Sequence, residues 1–284
     1  MHGFAMIDFH VHCYPAFLAK RAVDSVKENY YQVDGTLDTQ REWMRQHHVE
    51  KSVLLNMATR PDTMANVNRF AAQSTCEEFI PFGSVHPAAK NALQEVEYLY
   101  QQGIRGIKFH TGHQNFDFDD TKNIPLYRKI GSLGMATIVH CGDSAKSPNH
   151  LVLPHTVARV IDAFQGAPFI CAHMGGIDMN SHELDLLKQM PVLVDTALAI
   201  RRMEAKEFGL MVRELGVERV LFGSDHPWGD FFRTRDMVEN SDLTATEKKE
   251  IFYGNAVSLL NRIGQSGKLI KRTLTCALTE SPRP

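Results

Sequence analysis

The chain has 284 residues, of which 43% are hydrophobic, and a formal net charge of -2 at pH 7. This size and apolar content suffice for one α/β barrel, and the small charge argues against a protein that binds nucleic acid or an anionic membrane surface. The five cysteines form no CxxC pair, which argues for reduced thiols and against a disulfide framework. Because no charged-then-apolar leader and no apolar run of membrane-spanning length is found, we expect a soluble cytoplasmic protein.

Strand-like apolar runs alternate with helical segments along the chain. The predicted strands cover residues 7–12, 51–57, 78–85, 105–110, 135–140, 168–173, 192–195 and 219–225. The predicted helices cover residues 38–48, 61–76, 91–101, 125–133, 154–164, 181–188, 203–215 and 244–262. Eight such alternations, each about 30 residues long, predict a single-domain (β/α)8 TIM barrel over residues 1–263 and a tail over residues 264–284. A doubly wound open sheet is the alternative, but no GxGxxG or Walker loop follows the first strand.

The first predicted strand, IDFHVH, carries two histidines among the fourteen in the chain. Regular alternation places its three apolar residues on one face and Asp8, His10 and His12 on the other. Imidazole is the commonest metal ligand in proteins, and two of them at i and i+2 can hold one metal from the same side when more ligands arrive from elsewhere. The strand therefore predicts part of a metal site.

Polar side chains also end the other predicted strands. The residues at these ends are His12, His86, His110, His140, His173, Asp195 and Asp225. Alternation predicts inward-facing side chains for His110 and His140, and also for His173, on the same face as Phe169 and Cys171. Because TIM-barrel active sites form at the C-terminal ends of the strands, we predict that these residues share one site.

Five motifs, IDFHVH, GIKFH, IVHCGD, AHMGG and LFGSDHPW, occur in an order and spacing that resembles the metal-dependent amidohydrolase superfamily. The similar branch includes aminocarboxymuconate semialdehyde decarboxylase, resorcylate-type decarboxylases and dicarboxylate lactone hydrolases. The resemblance implies that His10, His12, His140 and Asp225 hold a divalent metal, with zinc favoured and manganese the alternative. It also implies that Asp225 accepts the proton of an activated water, with His173 as a second base or as a polariser of the substrate carbonyl.

The number of metal ions depends on Lys108. Superfamily members with two metals use a carboxylated lysine or a glutamate at the end of the fourth strand, and Lys108 lies near this position. The stretch GIKFH is more similar to the single-metal branch, so we predict one ion. Lys108 and His110 are then pocket residues that contact the substrate.

Several further residues have both a functional and a structural interpretation. His86, Arg201 and Trp228 are predicted to contact substrate, although each also suits a structural or solvated role: a loop cap, a helix start and a core aromatic, respectively. Asp8 is expected to orient a ligand or to accept from buried donors. Gln114, in the loop after the fourth strand, is expected to be solvated.

The sequence predicts a metal-dependent hydrolase that attacks an ester, lactone or amide carbonyl of a small molecule. Within the same site, the alternative is non-oxidative decarboxylation of an unsaturated or aromatic carboxylic acid. A barrel that binds a ligand without catalysis is the alternative outside the enzymes, and it would require that one or more of the metal ligands be missing. The oligomeric state is left open, with a homodimer as one alternative.

Overall fold

The structure is a computed structural model that describes residues 5–25, 33–142, 150–176 and 179–264. The strands are β1 (Met6–Val11), β2 (Val49–Leu55), β3 (Phe79–Ser84), β4 (Gly106–Phe109), β5 (Ala136–Val139), β6 (Phe169–Cys171), β7 (Leu193–Asp195) and β8 (Val220–Leu221). The α-helices are α1 (Ala16–Val23), α2 (Leu37–His47), α3 (Met64–Gln73), α4 (Ala92–Gln101), α5 (Thr111–Gln114), α6 (Ile124–Ser132), α7 (Pro154–Ala158), α8 (Ser181–Gln189), α9 (Ala205–Leu215), α10 (Phe231–Glu239), α11 (Ala245–Lys249) and α12 (Asn255–Arg262).

The eight strands form one parallel sheet in chain order, β1 to β8. The first strand also pairs with the segment that continues β8, since the Phe9 N–H donates to the Phe222 carbonyl at 2.8 Å and the Asp225 N–H donates to the His10 carbonyl at 2.8 Å. These bonds join the two ends of the sheet. The predicted (β/α)8 TIM barrel is confirmed.

Alternating strand residues divide the apolar core into two layers. The barrel interior holds Val53, Leu55, Ile80, Phe82 and Ile138, all buried. Residues of the opposite parity pack outward against the helices: Leu54, Phe79, Ile107, Phe109 and Val139. The interior packing requires a glycine at position 106, because a Cβ there would lie 2.3 Å from the Phe82 ring. The apolar side chains fill the barrel interior below the carboxyl ends of the strands, and polar residues occupy those ends.

The predicted alternation of β1 is wrong at one point. Ile7 and Phe9 pack in the barrel interior, where the Phe9 ring meets the Phe82 ring edge-to-face at 5.8 Å, whereas Val11 packs in the outer layer. The register with β2 shifts between Asp8 and Val11, and a shift of this kind changes which face later side chains occupy.

The predicted parity of β6 is also wrong. Phe169 and Cys171 pack in the outer layer, and the interior positions are Ile170 and Ala172. His173 lies beyond the strand in a 3-10 turn, with a φ of 60°. The turn, not strand alternation, decides where its side chain lies.

The sequence did not indicate α10, which begins after Asp230. The Asp230 carboxylate caps this helix by accepting from the Arg233 N–H.

Beyond Gly264, the predicted tail lies outside the residues that the structure describes. The predicted domain boundary after residue 263 therefore stays a prediction. Among the described helices, none combines the length and the apolar character needed to cross a membrane.

Candidate active site

The predicted site residues lie at the carboxyl ends of the strands. His12, His110 and His140 each follow directly after β1, β4 and β5, and Asp195 is the last residue of β7. Asp225 follows β8 in a loop with a left-handed backbone, at a φ of 63°. Side chains from five strands are therefore brought to one edge of the barrel.

Hydrogen bonds determine which ring nitrogen of His10 and of His12 carries the proton. Nδ1 of His12 lies 3.0 Å from the Leu55 carbonyl oxygen, and Nδ1 of His10 lies 2.7 Å from Oδ2 of Asp195. Because a carbonyl oxygen and a carboxylate only accept, both Nδ1 atoms must donate. In each neutral ring the lone pair is therefore on Nε2, which is the atom that could bind a cation.

These two Nε2 atoms face the same carboxylate. Oδ1 of Asp225 lies 3.0 Å from Nε2 of His12 and 3.3 Å from Nε2 of His10. Burial favours a raised pKa for Asp225, but His10, His12 and His173 outweigh it and hold the pKa of this carboxyl well below its usual range. The carboxylate stays ionised at neutral pH.

The donor set fits a divalent metal ion. The candidate ligand atoms of His10, His12 and Asp225 lie within 4.8 Å of one another, and all three residues are buried. Two imidazole lone pairs and one carboxylate oxygen, with both Nδ1–H groups bonded to fixed acceptors, are the usual donors and outer hydrogen bonds of zinc sites. A second candidate group contains His10, His173 and Asp195.

His140 is half-buried and belongs to neither group of candidate ligands found among the described residues. Its Nδ1 lies 2.9 Å from Nε2 of His173. Nδ1 of His173 lies 3.0 Å from the Ala197 carbonyl oxygen and must donate to it, so Nε2 of His173 accepts from His140. The assignment of His140 as a metal ligand stays a prediction.

His173 is fully buried beside this donor set. Burial lowers the pKa of His173 to about 4, against the attraction of Asp195. Its ring is therefore neutral near pH 7, with the lone pair on Nε2. This state suits a proton acceptor, and it does not suit a residue that polarises a carbonyl by donating from Nε2.

His110 stacks on His140, with ring centroids 3.9 Å apart and an interplanar angle of 10°. Nδ1 of His110 accepts from the His113 N–H at 3.4 Å, so the neutral ring carries its proton on Nε2. Burial, together with the nearby His140, lowers the pKa of His110 well below its usual value. His110 is therefore a neutral donor, opposite in tautomer to His10, His12 and His173.

Lys108 is buried at the base of this site. Its Nζ lies 3.3 Å from Nε2 of His10, and the residue is 1% exposed. Burial lowers the pKa of Lys108, while Asp195 and Asp225 favour the charged form. The predicted pocket position is therefore occupied by an amine in direct contact with a candidate metal ligand.

The family model described as Amidohydrolase matches residues 7–262. The chain belongs to the amidohydrolase family. No curated protein matches it.

Solved structures share the barrel of this amidohydrolase. An uncharacterized TIM-barrel protein, Bb4693, from Bordetella bronchiseptica has a TM-score of 0.74 at 19% identity, covering 91% of this chain and 99% of the other. A dihydroxybenzoic acid decarboxylase from Polaromonas sp. JS666, with bound manganese and 2-nitroresorcinol, has a TM-score of 0.69 at 15% identity over 91% and 98% of the chains. A proposed 2-pyrone-4,6-dicarboxylic acid hydrolase from Pseudomonas putida has a TM-score of 0.67 at 17% identity over 92% and 98%. At these identities the likeness shows the fold alone.

The remaining candidate substrate contacts of the amidohydrolase differ in position. The Trp228 ring lies 4.9 Å from the His12 ring, beside the candidate metal ligands. The His86 ring accepts from the Ala88 N–H at 3.2 Å and also bonds the backbone of Gln114, which favours the loop-capping role. Arg201 is exposed at the end of a 3-10 helix after β7. Contact of these side chains with substrate stays a prediction.

Two polar residues near the site have structural partners. Asp8 is 1% exposed and accepts from the backbone N–H groups of His10 and Ser224, so it joins β1 to the loop that carries Asp225. The expectation that Gln114 is solvated is wrong. It is 1% exposed, and its side-chain amide donates to the carbonyls of Ala58 and Val85 at 3.1 Å. A loop position in sequence carries no signal for such long-range partners.

Proposed function

We propose that this amidohydrolase is a single-metal hydrolase that cleaves an ester, lactone or amide bond of a small molecule with an activated water. The observation that carries the proposal is the convergence of two Nε2 atoms, from His10 and His12, on the Asp225 carboxylate, with each Nδ1 already bonded to a fixed acceptor. A divalent cation bound there supplies Lewis acidity, which polarises a carbonyl oxygen and acidifies water.

The protein's own groups divide the remaining work. Asp225 stays ionised, so it contributes negative charge beside the imidazoles. His173 can accept a proton only on Nε2, because its Nδ1–H is committed to the Ala197 carbonyl, and in the structure this Nε2 accepts from Nδ1–H of His140. His110, whose Nδ1 accepts from the His113 N–H, offers an Nε2–H to an oxygen of the substrate or leaving group.

Two features support hydrolysis over decarboxylation. His173 is neutral at pH 7, and a neutral acceptor suits removal of a proton from water better than delivery of a proton to carbon. Arg201 and Arg202, the guanidinium groups after β7, are both exposed, so they provide no buried anchor for a substrate carboxylate.

Decarboxylation is the second candidate, and Lys108 is the observation that favours it. A buried amine 3.3 Å from His10 can pair with a substrate carboxylate inside the barrel. The solved decarboxylase from Polaromonas has the same fold and contains manganese. For the resident ion we propose zinc, because imidazole and carboxylate ligands in a buried site suit it, with manganese as the alternative.

Elemental analysis tests the metal centre. We expect about one equivalent of zinc or manganese in the wild type. His12→Ala should lose it, and His182→Ala, at an exposed position on α8, should retain it. If the wild type holds no metal after reconstitution and still binds one of the small-molecule probes named below, the result would support the non-catalytic barrel instead.

The reaction is tested on three probes: 4-nitrophenyl acetate, 2-pyrone-4,6-dicarboxylate and 2,6-dihydroxybenzoate. A hydrolase incorporates ¹⁸O from labelled water into the acid product of either of the first two. A decarboxylase releases CO2 from the third and leaves solvent oxygen out of the product. CO2 release without ¹⁸O incorporation would overturn the hydrolase proposal.

A further inference from the structure

Asp195 is fully buried at the end of β7, between two histidines of the candidate site. Its Oδ2 lies 2.7 Å from Nδ1 of His10. Its Oδ1 accepts from the backbone N–H of His173 at 2.9 Å and from the backbone N–H of Ala197 at 3.1 Å. Both oxygens of one carboxylate are therefore used, on different partners.

The two backbone N–H groups that donate to Oδ1 fix the orientation of the Asp195 carboxylate. A backbone N–H can only donate, so the atom facing His173 and Ala197 must be an acceptor. The other oxygen, Oδ2, then faces His10 and also accepts, which forces the proton of the His10 ring onto Nδ1. The lone pair of His10 is left on Nε2, the atom that lies 3.3 Å from the Asp225 carboxylate.

Close packing holds the pair in place. A Cβ on Gly223 would lie 2.9 Å from Cβ of His10 and 3.3 Å from Cβ of Asp195, so a glycine is needed for the loop after β8 to approach both residues. The same carboxylate also bonds the backbone of His173, whose φ of 60° is unusual for a residue with a side chain.

We propose that Asp195 is a positioning residue of the metal centre: it selects the tautomer of His10 in which Nε2 is free to bind a cation, and it holds the turn that carries His173. The proposal rests on the proposed metal site at His10, His12 and Asp225. Asp195 itself contributes no ligand atom to that set.

The substitution Asp195→Asn tests the proposal because it preserves the shape of the side chain and reverses the direction of its hydrogen bond with Nδ1 of His10. The amide oxygen of asparagine must take the place of Oδ1, where two backbone N–H groups point. The amide NH2 then faces Nδ1 of His10 and donates to it. The His10 proton moves to Nε2, the atom that must bind the cation. The same wrong-tautomer effect disables the histidine of a serine protease when its aspartate becomes asparagine.

The first measurement uses metal-free protein with ¹⁵N-labelled histidine. Two-bond ¹H–¹⁵N spectra distinguish Nδ1–H from Nε2–H imidazoles, and His10→Gln identifies the His10 signals by their loss. We expect Nδ1–H for His10 in the wild type and Nε2–H in Asp195→Asn. Retention of Nδ1–H in Asp195→Asn would overturn the proposal, whether or not the wild type binds metal.

The second measurement is zinc affinity by chelator competition, for wild type, Asp195→Asn and Asp195→Ala, with circular dichroism to confirm folding. Loss of an outer hydrogen bond to a ligand weakens metal binding by about 10-fold to 100-fold. We expect Asp195→Ala to bind about 10-fold more weakly, and Asp195→Asn about 100-fold or more, because alanine leaves the His10 tautomer free whereas asparagine imposes the wrong one.

The order of the two variants separates positioning from packing. A purely structural role for Asp195 would make the smaller alanine the more damaging substitution, and that order would overturn the proposal. A wild type that binds zinc, with Asp195→Asn binding it equally well, would overturn the inference and leave the metal site intact. A wild type that binds no zinc would overturn the proposed function and with it the role of Asp195 in metal binding.

Discussion

Nζ of Lys108 lies 3.3 Å from Nε2 of His10, the same nitrogen that faces the Asp225 carboxylate. Lys108 is almost completely buried, so water screens its charge poorly. An ammonium at this distance and a divalent cation both need the lone pair of His10. We therefore expect Lys108 to affect how tightly the proposed site holds a metal ion.

Replacement of Lys108 by Met should increase the affinity for zinc by at least 10-fold. Unit charges about 4 Å apart repel by about 4 kcal/mol at an effective dielectric constant of 20, which far exceeds the 1.4 kcal/mol of a tenfold change. The measurement is chelator competition on wild type and Lys108→Met. If Lys108 is instead carboxylated and bridges two ions, the variant will bind zinc more weakly and the wild type will contain about two equivalents.

Replacement of His173 by Gln should lower kcat at least 100-fold and leave the zinc content unchanged, because the variant lacks the proton acceptor but retains His10, His12 and Asp225. The assay is kcat for whichever ester or lactone shows ¹⁸O incorporation. Loss of zinc from His173→Gln would instead identify His173 as a ligand.

The acid limb of the wild-type pH profile should lie near pH 4, not near 6.5. Burial lowers the pKa of His173 to about 4, and a base is active only above its pKa. The measurement is kcat/KM as a function of pH, with the zinc content determined at each pH so that metal loss is not mistaken for protonation of His173. An acid limb near 6.5 at full zinc content would contradict this assignment.

The stability of the metal-free protein should fall as the pH rises from about 4 to about 7, in part because of Asp8. Burial raises the pKa of Asp8 to about 7, against its hydrogen bonds with Ser224 and the His10 N–H, from a reference value of 3.8. Between these values the native state holds a proton that the unfolded state has released, so the unfolding free energy decreases with pH, by at most about 1.4 kcal/mol per unit.

Asp8→Asn removes this titration, and urea denaturation in EDTA at pH 5 and pH 7 tests it. Wild type should lose about 2 kcal/mol more than Asp8→Asn between these two pH values. The same pH dependence in both proteins would show that other groups produce it.

Gly229→Ala should disturb the loop that carries Asp225. A Cβ on Gly229 would lie 1.8 Å from the Ser224 carbonyl oxygen and 3.0 Å from Cβ of Asp225. We expect a loss of about 2 kcal/mol in the free energy of unfolding and zinc binding that is at least 10-fold weaker.

The matched control is Gly134→Ala, because Gly134 has a φ of 62° and no heavy atom within 4 Å of an added Cβ. Its cost should be about 1 kcal/mol, from the backbone conformation alone, with unchanged zinc affinity. Zinc affinity that falls equally in both variants would exclude a specific effect at the Asp225 loop.

Local sequence patterns correctly predicted the barrel, and they place the candidate site at the carboxyl ends of its strands. Strand alternation and helical segments are local patterns, and eight repeats of them have few solutions other than a TIM barrel. The chemically active residues at strand ends are read from the same local pattern, since parallel strands bring their carboxyl ends together. Strand ends indicated His12 and Asp225, and alternation indicated His10, whereas their shared role as metal ligands was implied by the family resemblance. The structure brings the three side chains into contact.

What each side chain can do depends on contacts between distant parts of the chain, which local sequence patterns do not show. The register shift in β1 and the turn at His173 depend on pairing with distant chain segments, so simple alternation failed at both. The tautomers follow from partners 43 residues away for His12 and 185 residues away for His10. Asp195 looked like one more polar strand end in the sequence. Its contact with His10 exists only because closure of the barrel brings β7 and β1 to the same site.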